Sequence, residues 1–337
     1  MATNTRASAH ILPSPVALKR QLPPPVNSSV LEWRQTIVDI LHGRDARLLL
    51  IVGPCSVHDP VSVLDYARRL SVVQGECPHI FFVMRTYFEK PRTRKGWSGF
   101  MHDPHLDGSN NMVTGVSAAR KLLLQITALG VPTATETLSL LAPQYIDDLL
   151  SFACIGARTT ESQPHRELAS GLSVPVGFKN STTGDISVAM NAMVSASEGK
   201  VFMGINADGR VAAIQTLGNP HCYLVLRGSS AGPNYDEETT KQMKSLLLRD
   251  KSVNSGLIVD ASHGNSGKKW TKQIEVIHYI VRHCLDNVRG LMMESFLHDG
   301  NQSLACKPLR PGLSITDECI GWDKSKEIFQ FIEKQLK

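Results

Sequence analysis

Nine short apolar or β-branched runs recur along this chain of 337 residues, separated by longer stretches with helical periodicity. They are LLLIVGPC (48–55), IFFVMR (80–85), VPTATE (131–136), IGAR (155–158), VPVGFK (174–179), VFMGIN (201–206), YLVLR (223–227), GLIVDASH (256–263) and GLMMES (290–295). Such alternation predicts βα units around a parallel sheet whose strands are covered on both faces. The run at 201–206 leads through Asp208 and Gly209 into a second strand-like run, RVAAIQT, which predicts a β-hairpin around a tight turn. Setting that hairpin aside leaves eight strands, the number that closes a (β/α)8 barrel. Helices are expected over 62–70, 117–129, 143–153 and 268–285.

At or beside the C-terminal end of the eight runs stand Cys55, Arg85, Glu136, Arg158, Lys179, Arg227, His263 and Glu294. Side chains at strand C-termini line the mouth of such a barrel, so residues far apart in sequence would converge on one cavity. Arg85, Arg158, Lys179 and Arg227 are cations suited to phosphate and carboxylate oxygens, and together they imply a polyanionic ligand. Lys90 and Arg92, on the loop after the second run, add more charge than one phosphate needs and point to two phosphorylated substrates. Cys55, His263 and Glu294 offer thiolate, imidazole and carboxylate to a first-row divalent ion, with Asp317 in SITDECIGW as a candidate fourth ligand. No zinc-finger spacing supports that set, and a cysteine at a strand end is also an ordinary small core residue.

Composition narrows the function classes. Hydrophobic residues make up 42% and charged residues 20%, with no apolar run long enough to span a bilayer, so a membrane protein is not expected. The net charge of +5 is scattered without a basic block, which argues against a nucleic-acid partner. Seven dispersed cysteines without a CxxC pair imply neither a disulfide framework nor a zinc finger, and a reducing, cytoplasmic setting is expected. The first 31 residues contain no acid, a faint likeness to an organelle transit peptide. The simpler expectation is a flexible arm leading into a helix near Ser29 to Leu41. Residues 1–44 then form an N-terminal arm and helix, and 45–337 the barrel, with the hairpin at about 200–217.

The motifs GPCSVHD, MRTYFEKPRT followed by GW, IGARTTESQ with HRELASGL, PVGFKN, LRG, DASHGNSGK, MMESFLHDGNQS and SITDECIGW resemble, in this order, the 3-deoxy-D-arabino-heptulosonate 7-phosphate synthases. The resemblance spans roughly residues 45 to 325 and is to the bacterial and fungal group inhibited by single aromatic amino acids. It implies a (β/α)8 barrel with an N-terminal extension and an added two-stranded β-hairpin. It also implies a reaction joining phosphoenolpyruvate to erythrose 4-phosphate, the opening step of aromatic amino-acid biosynthesis. The implied metal ligands are Cys55, His263, Glu294 and Asp317, for Mn, Fe, Co, Zn or Cu. Phosphoenolpyruvate would meet Arg85, Lys90, Arg158, Lys179 and Arg227, with the Ala157 backbone and Glu136 nearby. Erythrose 4-phosphate would meet Lys90, Pro91, Arg92 and Thr93, with Asp317 also in substrate contact. Lys90, Glu136 and His263 are the candidates for catalytic roles.

An inhibitor pocket is implied at Leu140, Gln144, Leu168, Ser173, Phe202 and Gly204. Phenylalanine-sensitive members resemble this chain but carry serine at the position of Gly204, so a missing side chain there favours tyrosine, with phenylalanine next. A homodimer or homotetramer is the implied assembly. Two alternatives stand beside this reading. One is a 3-deoxy-D-manno-octulosonate 8-phosphate synthase, against which the KPRT motif and the hairpin argue. The other is a catalytically silent effector-binding homologue, against which the four retained ligand residues argue.

Overall fold

The structure, a computed structural model, describes residues 10–337. Its centre is a closed barrel of eight parallel strands: β1 (Leu48–Gly53), β2 (Ile80–Arg85), β3 (Thr133–Glu136), β4 (Phe152–Ile155), β5 (Val176–Lys179), β8 (Cys222–Leu226), β9 (Leu257–Asp260) and β10 (Gly290–Glu294). Between β5 and β8 the chain leaves the barrel to form the antiparallel pair β6 (Val201–Ile205) and β7 (Val211–Gln215). β10 closes on β1, with Leu49 opposite Gly290 and Gly53 opposite Glu294.

Strand alternation sorts the barrel residues into two layers. Leu48, Leu50 and Val52 face outward into the core shared with the helices, whereas Leu49 and Ile51 join Val83, Ala134, Phe152, Tyr223, Val225, Ile258 and Met292 inside. Carrying the inner parity two residues onward reaches Arg85, Glu136, Arg227, Asp260 and Glu294. The barrel interior is thus apolar at its base and charged at its C-terminal rim. The base is stoppered by α2 (Val30–Leu41), which follows a shorter α1 (Pro15–Gln21) and inserts Ile37, Ile40 and Leu41 into the inner core.

Three sequence expectations are corrected. IGAR is not the fourth strand: Phe152–Ile155 is, and Gly156 opens a turn that leaves Arg158 exposed, three residues past the strand. The helix expected over 143–153 is a single turn, Pro143–Ile146, followed by a 3-10 turn at Asp147–Leu149, because Phe152, Ala153 and Cys154 are taken fully into the sheet. The arm is not wholly flexible, since Ser14 caps α1 by accepting from the Ala17 amide and Pro15 occupies the first turn. α1 is pinned by Lys19 to Asp147 at 2.5 Å, and Val16 N donates to Ala207 O at the hairpin tip. Residues 1–9, including Arg6 of the transit-like segment, lie outside the described residues.

The hairpin and the helix near Ser29 form as expected. Asn206 Oδ1 accepts from the amides of Asp208 and Arg210, and Gly209 takes φ +78°, the left-handed geometry this turn demands. All seven cysteines are free thiols. Among the described residues no helix is long and apolar enough to cross a membrane.

Candidate active site

The charged rim is held by ion pairs that each bridge one intervening strand. Arg85 and Glu294, both fully buried, meet at 2.9 Å, and Ser262 Oγ donates to the other Glu294 oxygen at 2.9 Å. Lys179 Nζ lies 2.8 Å from Asp260 Oδ2, and His263 Nδ1 lies 2.9 Å from the same oxygen. That imidazole contact is within ion-pair distance but off the preferred hydrogen-bond direction, and it leaves His263 Nε2 facing Glu294 Oε1 at 4.0 Å. Burial alone would raise the Asp260 pKa, but His263, Lys179 and Arg85 outweigh it and hold the carboxyl well below the usual range.

Cys55, Glu294 and Asp317 each present a ligand atom within 4.8 Å of the others, a possible metal-binding group of mixed sulfur and oxygen character. His263 lies outside that tight cluster but borders it through Glu294. Burial and the Glu294 charge push the Cys55 thiol up, opposed by Lys90, whose Nζ is 3.3 Å from Sγ and 3.0 Å from the Cys55 carbonyl. Burial would lower the Lys90 pKa, but Cys55 when ionised, then Glu294 and Glu136, act the other way and outweigh it. A cysteine sulfur and two carboxylates around one point, with an imidazole bordering them, match the donor preferences of a first-row divalent ion.

Above this floor lies a cavity of about 430 Å³ lined by Lys90, Pro91, Arg92, Thr93, Glu136, Ala157, Arg158, Lys179, Arg227, His263 and Asp317, all expected from the sequence. Arg85, Cys55 and Glu294 are buried beneath that lining. Arg85 Nη1 is buried with no hydrogen-bond partner in the protein. Burial lowers the Arg227 pKa, with Asp260 acting the other way. Gly156 leaves room for the Glu136 side chain: a Cβ there would lie 2.2 Å from Glu136 Oε1 and make the carboxylate swing aside.

Sequence reasoning missed Asp260, Lys268, Arg94, Lys95 and Thr316, of which the last four line the same cavity. The signal for Asp260 was a carboxylate within an otherwise apolar run, a placement that requires a buried partner.

A second cavity, of about 900 Å³, lies between the hairpin and the segments after β3 and β4. All six residues expected of an inhibitor pocket line it: Leu140, Gln144, Leu168, Ser173, Phe202 and Gly204. A Cβ on Gly204 would sit 2.9 Å from Ile214 Cγ1, so any side chain there must displace Ile214, which also lines the cavity.

Fold and site together define a (β/α)8-barrel protein with a cationic mouth over a group of residues suited to a metal ion. The chain belongs to the DAHP synthetase I family, whose model matches residues 17–330. It is 45% identical over 334 residues to the Tyr-sensitive phospho-2-dehydro-3-deoxyheptonate aldolase of Salmonella typhimurium, covering 97% of this chain and 93% of that one. The Phe-sensitive enzyme of that name from Escherichia coli is 43% identical over 330 residues, covering 96% of this chain and 94% of that one. A solved structure of a phospho-2-dehydro-3-deoxyheptonate aldolase from Francisella tularensis superposes with a TM-score of 0.95 at 39% identity, covering 98% of each chain.

Proposed function

We propose that this chain is a 3-deoxy-7-phosphoheptulonate synthase, joining phosphoenolpyruvate to erythrose 4-phosphate with release of phosphate. The observation that carries this reading is the union, on one rim, of the Cys55, Glu294 and Asp317 cluster with Arg85, Lys179, Arg227 and Arg158. Cys55, His263, Glu294 and Asp317 would hold a divalent ion drawn from Mn, Fe, Co, Zn and Cu. When bound, that ion supplies Lewis-acid polarisation of the aldehyde oxygen.

The protein's own residues account for the rest. Arg85, Lys179 and Arg227 bind the carboxylate and phosphate of phosphoenolpyruvate from below, and Arg158 with the Ala157 backbone from the rim. Arg85 Nη1, already buried and unpartnered, donates without further desolvation. Two-ended binding holds the enol carbon toward the aldehyde and keeps water out until the carbon–carbon bond has formed. Lys90, whose Nζ stands 3.3 Å from the Cys55 sulfur at the edge of the cluster, donates to the aldehyde oxygen, and Glu136 orients the water that then adds at C2. Pro91, Arg92 and Thr93 form the erythrose 4-phosphate end, with Thr93 Oγ1 accepting from Arg158 Nη2 at 3.4 Å. Arg158 therefore touches both substrate subsites.

The hairpin cavity would take an aromatic amino acid as feedback inhibitor, tyrosine before phenylalanine, because a serine at Gly204 would press on Ile214 and narrow the cavity, which glycine leaves wider. The hairpin and the N-terminal arm that meets it at Ala207 form the regulatory part, in a cytoplasmic homodimer or homotetramer. Phosphate release from phosphoenolpyruvate should require erythrose 4-phosphate, cease on chelation and return with added Mn²⁺. Equal turnover with arabinose 5-phosphate, or full activity in stripped protein, would overturn the reading.

A further inference from the structure

The segment from His263 to Lys268 is a closed turn. The Lys268 amide donates to the His263 carbonyl at 2.9 Å, and both residues adopt left-handed backbone geometry, φ +57° and +64°. Left-handed geometry at two bulky side chains is uncommon and needs local support. Asn265 supplies some of it, donating through Nδ2 to the Asp260 carbonyl at 2.8 Å. The turn therefore presents the His263 imidazole and the Lys268 ammonium in fixed relation to the facing loop.

On that loop Lys268 Nζ straddles the Asp317 carboxylate, 3.2 Å from Oδ1 and 2.9 Å from Oδ2. Asp317 belongs to the cluster with Cys55 and Glu294, so one carboxylate serves both the ammonium and the cluster. The neighbouring pair repeats the arrangement: Lys269 Nζ is 2.8 Å from Glu318 Oε1, and the Trp270 amide donates to Glu318 Oε2. Two adjacent lysines thus clamp two adjacent acids, but only the Lys268 clamp occupies a cluster residue. The Lys269 clamp can hold the loop while the other opens.

We propose that Lys268 is a tethered counter-cation for Asp317, which neutralises the cluster when no metal is bound and competes with the metal for that carboxylate. This rests on the reading of Asp317 as a metal ligand. Two cations cannot share both oxygens of one carboxylate at full strength, so metal entry must turn the ammonium away. Lys268 lines the mouth cavity, and a released ammonium adds positive charge where the anionic substrates bind. Metal loading and anion binding then favour each other through this one side chain.

The test is Mn²⁺ binding to the chelator-stripped full-length protein, measured by calorimetry and by thermal melting of the stripped and loaded forms. Lys268→Met should bind Mn²⁺ roughly two- to fivefold more tightly, the range expected for loss of one partly exposed ion pair. Its stripped form should melt below stripped wild type, while the loaded forms match. Lys268→Arg should restore wild-type affinity, and Lys269→Met should not tighten binding. Unchanged or weaker Mn²⁺ binding by Lys268→Met, or an equal loss of melting temperature in both forms, overturns the proposal. Asp317→Asn separates the two levels. If it weakens Mn²⁺ binding while Lys268→Met does not tighten it, only the counter-cation role fails. If Asp317→Asn binds Mn²⁺ as wild type does, the ligand reading fails and takes this proposal with it.

Discussion

The two cavities of this molecule are built on opposite principles. The mouth is the smaller, about 430 Å³, and its floor of charges sits on barrel strand ends, locked by Arg85–Glu294 and Lys179–Asp260 pairs that each bridge one intervening strand, with loops carrying Lys90, Arg92 and Asp317 above it. The hairpin cavity is about twice as large, lined with Leu140, Leu168, Phe202 and Ile214, and one wall is a two-stranded ribbon that shares no strand pairing with the barrel. Side chains along β6 and β7 are half-buried or exposed, whereas the barrel strands are buried almost throughout. Fixed charges in a rigid frame suit chemistry, where an ångström of misplacement is costly. An apolar wall on a separate ribbon suits recognition that differs among relatives, since its residues can change without disturbing the barrel.

The largest test of that contrast is Arg85→Met. It leaves the buried Glu294 without its cation and should cost about 3 to 5 kcal/mol in urea unfolding of the stripped protein. Turnover should fall on the order of a hundredfold or more, as when a preorganised donor is lost. Tyrosine binding, measured by calorimetry, should be unchanged; loss of it would show that the two regions are not independent.

Asp260→Asn comes next. Asp260 does not itself line the cavity but aligns Lys179 and His263, which do, so metal affinity or turnover should drop roughly ten- to a hundredfold, as for other residues that orient a ligand. Wild-type kinetics and wild-type Mn²⁺ affinity together would remove Asp260 from the mechanism.

Gly204→Ser addresses the other cavity alone. Uninhibited turnover should stay within a factor of about two, while inhibition by tyrosine weakens about tenfold and that by phenylalanine strengthens or holds, the scale set by one small group in an apolar pocket. Wild-type protein inhibited by phenylalanine but not tyrosine would sink the tyrosine assignment at the outset.

The smallest effect concerns the flank shared by the arm and the hairpin cavity. Asp148 receives two hydrogen bonds from the fully buried Arg120, each 2.7 Å. Burial would raise its pKa, but Arg120 and Lys19 hold it below the ordinary value. A lowered folded pKa contributes stability that is complete above the unfolded aspartate pKa of about 3.9 and is lost as pH falls through the folded value. The stability gap between wild type and Asp148→Asn should therefore be on the order of 1 kcal/mol at neutral pH and close in acid. A gap that stays constant down to acid unfolding would show that the pair contributes nothing through its charge.

Much of the barrel was legible because parallel strands buried on both faces read as apolar runs, and each run ended on the residue of inner parity that reaches the rim. That rule works for Arg85, Glu136, Lys179, Arg227 and Glu294. It fails at IGAR, where Ser151 and Phe152 prolong a helix-like pattern and hide a strand whose carboxyl end carries no charge. It also obscures Asp260, because the run was followed past its structural end to His263. α1 was missed although Ser14 and Pro15 mark its start and Lys19 and Arg20 its end, since a proline-rich, acid-free stretch reads as a linker. Lys268 gave no local signal, because its meaning depends on a loop 49 residues away.

The seam between β1 and β10 has a kinetic consequence. These strands come from far apart in the chain, so their pairing is among the most non-local contacts in the protein and carries a large loop-closure entropy, the kind of contact that slows folding. Cys55 follows one of them and Glu294 ends the other, so the proposed metal site does not exist until the ring closes. A metal that binds only the closed ring stabilises it by mass action, and its retention reports that folding has finished.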